Sequence, residues 1–175
     1  MSVSTASSAL SQESAQELVE SIRYHHCHSV RVYWEDTDAG GIVFYGNYLK
    51  FMERARTEWL SALGFEQEAM RRAGEGMFIV AETQLRYLKP ARLDDRLKVT
   101  VAVTHIGRAS VTFAQEVWRG ETLLTQGMVR IGWVQPVASG ADSSDEDVRE
   151  DSFRPGRIPA PILAILPTPI SVSKG

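Results

Sequence analysis

The acidic segment Glu35-Asp36-Thr37-Asp38 is the part of this chain best suited to chemistry. In an extended segment the side chains of Asp36 and Asp38 point to the same side, and neighbouring carboxylates push their pKa values apart, which divides acid and base roles between them. Aspartate is also common in turns, where its side chain bonds to nearby backbone. The residue types alone leave two interpretations open, a catalytic pair and a structural turn.

Two glycines, Gly40 and Gly41, follow the acidic segment and lead towards a predicted helix. Glycine lets a ligand approach the backbone closely, and the first N–H groups of a helix have no intrahelical acceptor. Such an N–H group could polarise a substrate carbonyl, while a carboxylate beside it attacks the carbonyl carbon or activates water. The loop therefore offers both halves of an acyl-transfer site.

Two apolar patterns flank the loop and must position it. Alternation of Val30, Val32 and Trp34 with polar residues predicts a strand over residues 29–34, with these three side chains on one face. After the loop, apolar residues recur at spacings of three and four, which predicts a long helix that ends near Gly64. The apolar stripe of this helix comprises Tyr48, Met52, Ala55, Trp59 and Ala62 or Leu63.

Beyond the helix, alternating and β-branched segments predict further strands. They cover residues 78–88, 97–104, 110–118 and 122–134. Gly107-Arg108 and Arg119-Gly120 stand where tight hairpins would turn, so the late strands should pair antiparallel. One helix packed on an antiparallel sheet is the α+β class.

Composition predicts one folded domain, residues 28–137, between two tails. Of the 175 residues, 43% are hydrophobic and 23% are charged, as in ordinary globular proteins. A Ser- and Ala-rich stretch predicts a mobile tail over residues 1–27, and the acidic and Pro-rich composition of residues 138–175 predicts a disordered linker and tail. Prolines within residues 154–161 argue against regular helix or sheet and favour an extended segment along a surface.

The net charge and the cysteine content restrict the classes of partner and the cellular compartment that we expect. A formal net charge of -3 provides no basic field for nucleic-acid phosphates. Cys27 is the one cysteine and cannot form an intrachain disulfide, which favours a reducing compartment, the cytoplasm. Residues 1–10 lack a signal-peptide pattern, and no run of about 18 apolar residues predicts a membrane span.

The loop and the helix together carry a long match to a known family. Residues 33–48, Y-W-E-D-T-D-A-G-G-I-V-F-Y-G-N-Y, continued by F-M-E-R-A-R at 51–56, resemble the signature of the 4-hydroxybenzoyl-CoA thioesterase family. The likeness continues through residues 86–95 and 106–110, and it is closest to the Tol-Pal-associated acyl-CoA thioesterase branch. It implies a hotdog fold, in which an antiparallel sheet of about five strands wraps around one long helix.

The resemblance also implies roles for individual residues. By position, Asp38 is the nucleophile or general base, and the backbone N–H of Tyr45 is the donor to the thioester oxygen. Asp36 matches a family position without an assigned catalytic role. The Tol-Pal branch often has His at the position of Tyr45, so a role for that imidazole does not carry over, whereas a backbone N–H does.

Four further residues are implied to contact the substrate. Gly41 and Phe44, in the loop before the helix, are expected to bind the substrate. Arg108 and Ser110 fall on the turn and strand that meet the CoA phosphates in similar proteins. Active sites in this family lie at the interface of homodimers or homotetramers, so the resemblance implies an oligomer.

The implied reaction is hydrolysis of acyl-CoA to a free acid and CoA, with no metal and no cofactor because CoA is part of the substrate. Two alternatives stay open. The carrier of the acyl group could be acyl carrier protein, or the chain could be a non-catalytic hotdog protein that binds acyl thioesters or scaffolds a cell-envelope complex.

Two other features invite a functional interpretation. Residues 24–28, Y-H-H-C-H, contain zinc-type ligands, but an extended run would split them between opposite faces, so we expect no metal site. Glu53 could act as a second acid on the helix, or it could pair with Arg54 or Arg56 at the surface, which we favour.

Overall fold

A computed structural model describes residues 24–137 and 153–171 of the chain. Its helices are α1 (Asn47–Ala62), α2 (Gln67–Arg72) and α3 (Ala160–Ile165). Its strands are β1 (His26–Arg31), β2 (Met77–Tyr87), β3 (Arg96–Ile106), β4 (Ser110–Arg119), β5 (Thr122–Pro136) and β6 (Phe153–Pro155). Within this part of the chain no helix combines the length and apolarity needed to cross a bilayer.

The strands form one antiparallel sheet in the order β1-β3-β4-β5-β2, and β6 adds a short pairing to the end of β5. The predicted sheet of about five antiparallel strands around one long helix is confirmed. Both predicted hairpins are present: Gly107 and Arg108 connect β3 to β4, and Gly120, with φ 55°, turns β4 into β5.

Helix α1 packs against the sheet through the stripe that its sequence predicts. Its large members Tyr48, Met52 and Trp59 are at most 3% exposed, and burial of each such side chain contributes about 1.5–3 kcal/mol, whereas Leu63 at the end of the stripe is only partly buried. The buried apolar residues of α1 are Tyr48, Phe51, Met52, Ala55, Trp59 and Leu60. Among them, Trp59 meets Phe113 of β4 edge-on, at a centroid distance of 5.6 Å.

The sheet has two ends with different neighbours. At one end of the sheet, which we call the loop end, three strands end (β1, β2 and β4) and two strands begin (β3 and β5). Backbone bonds hold the acidic loop there, from Val32 N–H to the carbonyl of Asp95 and from Val43 N–H to that of Ala91, both 2.9 Å. At the other, the strap end, β3 stops and β4 starts.

Residues 153–171, which we call the C-terminal strap, close the strap end. The prediction that prolines exclude helix and sheet from this region is wrong, because β6 and α3 lie within the strap. Pro161 stands in the first turn of α3, where a missing N–H costs nothing, and Pro155 lies on an edge strand. Ile158 and Ile162 are 3% and 1% exposed, so the strap is part of the core.

The N-terminal side of the domain also differs from the prediction. Strand β1 covers His26–Arg31 rather than the predicted residues 29–34, and it includes the last residues of the predicted tail 1–27, because it pairs with β3 from the His26–Val101 position onwards. Trp34 does not share a buried face with Val30 and Val32: it lies in a 3-10 turn and is 79% exposed. Residues 1–23 of the predicted N-terminal tail, and residues 138–152 and 172–175 of the predicted linker and C-terminal tail, lie outside the described residues.

Candidate active site

The acidic loop is not extended, and its two aspartates have different surroundings. Residues Trp34–Asp36 form a 3-10 turn, which directs the Asp36 carboxylate inward, where the residue is 3% exposed. Its Oδ2 accepts the Tyr33 N–H at 2.9 Å. Asp38 is exposed. The expectation that the two carboxylates point to the same side is therefore wrong, and Asp36 has the structural role of a local cap.

The backbone of Asp36 fastens the loop to the start of α1. Its carbonyl oxygen accepts the Phe44 N–H at 2.9 Å and the side-chain Nδ2 of Asn47 at 2.9 Å. Asn47 is 5% exposed and is the first residue of α1. Sequence reasoning missed Asn47, because an Asn at a helix start has many local partners and nothing in the sequence indicates this distant one.

Asp38 combines a structural turn with an available carboxylate oxygen. Its Oδ1 accepts the Gly40 N–H at 2.8 Å, and its backbone N–H donates to Ile42 at 2.9 Å. Gly41, with φ 70°, has the left-handed conformation that glycine tolerates best. Within residues 24–137 and 153–171, Oδ2 of Asp38 accepts no hydrogen bond. The turn therefore holds one oxygen and leaves the other for a substrate or water.

The start of α1 supplies unpaired backbone donors. Gly46 is the N-cap, so no side chain caps the helix, and the first turn contains no acidic residue. Among the described residues, no acceptor takes the N–H of Tyr45. Such donors are suited to a carbonyl oxygen that gains negative charge. The Tyr45 N–H, which is the predicted donor, is therefore available to bind a substrate oxygen.

Aromatic side chains surround these donors. Phe44 and Tyr45 are 42% and 65% exposed, with ring centroids 4.4 Å apart. Tyr87 lies at the end of β2 and meets Tyr45 at 6.4 Å and the buried Tyr48 at 5.7 Å. Burial raises the pKa of Tyr48, whose Oη accepts the Ala91 N–H at 2.8 Å. Sequence reasoning did not predict Tyr87 as part of this site.

Arg108 and Ser110 lie far from this cluster within one chain. Both are at the strap end, whereas the Ile42–Arg92 bridge places the loop of Asp38 at the loop end. The 11 residues of β3 lie between these ends and span roughly 33 Å at about 3.3 Å per residue step. Contact of Arg108 and Ser110 with CoA stays a prediction, and one chain alone does not bring them beside Asp38.

The remaining candidates have structural partners. Glu53 is exposed and accepts the Thr57 Oγ1 hydroxyl at 2.9 Å. His25 accepts the Val103 N–H at Nδ1, 2.9 Å away, and its Nε2 lies 3.2 Å from the carbonyl of Thr168 in the strap. Across the part of the chain that the structure describes, no group of three or more His, Cys, Asp or Glu residues is arranged to hold a metal ion.

A pocket of about 270 Å³ lies away from the predicted residues. It is lined by Gly64, Phe65, Glu66, Ala69, Met70, Glu75, Pro159, Pro161 and Ile162. These residues belong to α2, to the segments just before and after it, and to the strap, so the pocket adjoins the strap end. An acyl group held there would not reach the carboxylate of Asp38 in the same chain, and we assign this pocket no part in the site.

Comparison with known proteins identifies the family. A family model described as the thioesterase superfamily matches residues 40–126. Acyl-CoA thioesterase YbgC of Haemophilus influenzae is 40% identical over 114 residues, which cover 62% of this chain and 84% of that protein. Acyl-CoA thioester hydrolase YbgC of Shigella flexneri is 42% identical over 109 residues, which cover 62% of this chain and 81% of that protein.

Solved structures share the architecture. A probable thioesterase from Bartonella henselae superimposes with a TM-score of 0.66 at 26% identity, over 77% of this chain and 98% of that one. A 4-hydroxybenzoyl-CoA thioesterase in complex with 4-hydroxybenzoyl-CoA superimposes with a TM-score of 0.65 at 16% identity, over 79% of this chain and 96% of that one, which supports the fold alone. With its predicted loop, its hotdog fold and these relatives, the chain belongs to the thioesterase superfamily.

Proposed function

We propose that this chain hydrolyses acyl-CoA thioesters to a free acid and CoA. One observation carries the proposal: an exposed carboxylate, Asp38, is fastened through the Asp36 backbone to a helix start that offers an unpaired N–H at Tyr45. The names of the relatives, acyl-CoA thioesterase and thioester hydrolase, support the same reaction.

In the proposed mechanism the thioester carbonyl oxygen lies against the Tyr45 N–H, which stabilises the negative charge of the tetrahedral intermediate. Asp38 either attacks the carbonyl carbon, giving an anhydride that water then hydrolyses, or removes a proton from an attacking water molecule. The carbon–sulfur bond breaks, and CoA leaves as a thiolate that takes up a proton. The reaction requires no cofactor beyond the CoA of the substrate.

We also propose that the working unit is a homodimer, alone or within a homotetramer. Strand β2 is the last in the sheet order, so one of its edges has no partner strand among the described residues. Large apolar side chains are exposed along and just after it, at Ile79, Val80, Tyr87 and Leu88. Antiparallel pairing of two β2 edges would bring the strap end of one copy towards the loop end of the other.

Such a dimer would supply Arg108 and Ser110 from a second copy to the CoA bound beside Asp38. Subunit complementation tests this arrangement: Asp38→Asn and Arg108→Ala proteins are mixed, unfolded, refolded together and assayed below saturation. In a shared site one of the two sites of a mixed dimer regains both residues, so activity should return. If each site uses only its own chain, the mixture stays as inactive as its components.

Release of free thiol from a panel of acyl-CoAs tests the activity itself. The panel should include short, long and aromatic acyl groups, together with the same acyl groups on acyl carrier protein. Preference for the carrier-protein substrates would change the proposed carrier, and binding without turnover would favour a non-catalytic acyl-thioester protein. Turnover of at least one acyl-CoA is the expected result.

The cytoplasm is the proposed location, since a chain with one cysteine cannot form an intrachain disulfide and the substrate is a CoA ester. Association with the Tol-Pal system of the cell envelope is proposed from the resemblance of the loop alone. Co-purification of the chromosomally tagged protein with envelope components, from cells lysed without detergent, would test both statements.

A further inference from the structure

The carbonyl oxygen of Tyr45 has a partner from a distant strand. The hydroxyl of Tyr87 donates to it at 3.1 Å, across 42 positions of sequence. Tyr87 is the last residue of β2, and 46% of it is exposed. The bond therefore ties the segment that enters α1 to the edge of the sheet.

This bond is the second of two hydrogen bonds that hold the segment with the unpaired Tyr45 N–H in place. The carbonyl of Phe44 already accepts the Asn47 N–H at 2.9 Å. Because a trans peptide is planar, fixing the Phe44 carbonyl also fixes the direction of the Tyr45 N–H on its opposite side. The Tyr87 bond fixes the next peptide in the same way, so Tyr45 is held on both sides and cannot rotate its N–H away.

The ring of Tyr87 is itself held in place. Tyr48, which is 2% exposed, packs edge-on against it at a centroid distance of 5.7 Å, and Tyr45 packs edge-on against it at 6.4 Å. Partial burial, and then the neighbouring Tyr45, raise the pKa of the Tyr87 phenol, so it stays a hydrogen-bond donor at neutral pH. A hydroxyl on a restrained ring loses little entropy when it binds a carbonyl.

We propose that Tyr87 is a positioning residue for thioester hydrolysis, whose hydroxyl holds the Tyr45 carbonyl so that the Tyr45 N–H faces the substrate oxygen. This inference rests on the proposed function, because it assigns Tyr87 to the same reaction. The Tyr87 hydroxyl is committed to the backbone and acts through the Tyr45 N–H rather than on the substrate itself. A donor held in advance costs no reorganisation when charge develops on the oxygen.

Tyr87→Phe tests the proposal, because it deletes the hydroxyl and keeps the ring and its contacts. We expect kcat to fall about 10-fold with KM within about twofold, since only the charged intermediate needs the donor in its correct place. The matched control is Tyr24→Phe, which deletes a hydroxyl bonded to Glu116 of β4 at 2.6 Å. Its kcat should equal that of the wild type.

Thermal unfolding of each protein separates positioning from folding, and all assays run below the lowest unfolding temperature. A lower kcat for Tyr87→Phe at full folding supports the proposal, whereas an unchanged kcat, or a rise in KM alone, overturns it. Tyr87→Leu, which also removes the ring, should be slower than Tyr87→Phe, and equal rates would show that the ring has no part. If the wild type itself turns over no thioester, the proposed function fails first and this role with it.

Discussion

The side-chain amide of Asn47 donates a 2.9 Å hydrogen bond to the backbone carbonyl of Asp36. This bond joins the first residue of the long helix to the middle of the acidic loop, and the Phe44 N–H reaches the same carbonyl. One donor, Phe44, lies just before the helix, and the other, Asn47, is its first residue. The carboxylate of Asp38 and the free N–H of Tyr45 are therefore parts of one rigid unit, although seven positions separate them in the sequence.

Replacement of Asp36 tests whether this residue is structural. Asp36→Ala removes the acceptor of the Tyr33 N–H, and leaving such a group unpaired should lower the free energy of unfolding by about 1–3 kcal/mol. Asp36→Asn keeps an oxygen in the same place and should lose less. Urea denaturation measures both values, and an alanine variant as stable as the wild type would contradict the assignment.

The C-terminal strap should contribute to stability through Ile162. Ile162→Ala removes a side chain that is 1% exposed, and we expect it to lower the free energy of unfolding by about 2–5 kcal/mol. The neighbouring Leu163 is 38% exposed, so Leu163→Ala is a matched control with an expected loss under about 1 kcal/mol. Equal losses in urea denaturation would show that the strap does not bury Ile162.

Acid should destabilise the fold through His25, because a protonated Nδ1 can no longer accept the Val103 N–H. Burial lowers the pKa of His25, and the Thr168 carbonyl opposes that shift to a smaller extent. The folded state therefore favours neutral His25, whose Nδ1 accepts the Val103 N–H. A depressed pKa stabilises the fold above the unfolded value, about 6.5, and this stability is lost as pH falls through the folded value.

In the His25→Asn variant the free energy of unfolding should therefore fall less steeply than in the wild type as pH is lowered from about 7.5 to 5. The exposed His105 provides a control, His105→Asn, which should leave the decrease unchanged. Burial, and then the like charge of His28, also lower the pKa of His26, so some decrease should remain in the His25 variant. Denaturant titrations across this pH range give the slopes, and identical slopes for wild type and His25→Asn would rule out this role.

The elements of the fold were predictable because their signals are local. The apolar stripe of α1 and the alternation in β3 depend on spacing within one segment, and both elements lie where these patterns indicate. The prolines of the strap led to a wrong prediction, because the effect of a proline on a helix or strand depends on its position within that element. In Pro161 the missing N–H falls in a first helical turn, which composition does not show.

The candidate site was only partly predictable from sequence. Asp38 and Tyr45 stand in one uninterrupted motif, whereas Tyr87 reaches Tyr45 from a strand 42 residues away. The different burial of Asp36 and Asp38 follows from a 3-10 turn that the alternation of the preceding strand concealed. Such contacts depend on the tertiary fold, and no periodicity in one segment encodes them.

Hydrolysis of an acyl-CoA by Asp38→Asn, compared with the wild type, tests the central claim most directly. Asparagine retains an oxygen for the Gly40 N–H, so the loop should keep its shape while it loses the base or nucleophile. Glu35→Gln neutralises an exposed acid of the same loop and is the matched control. We expect kcat to fall at least about 100-fold in Asp38→Asn and to stay unchanged in Glu35→Gln. Equal kcat values for Asp38→Asn and the wild type, with both proteins folded, would contradict a catalytic role for Asp38.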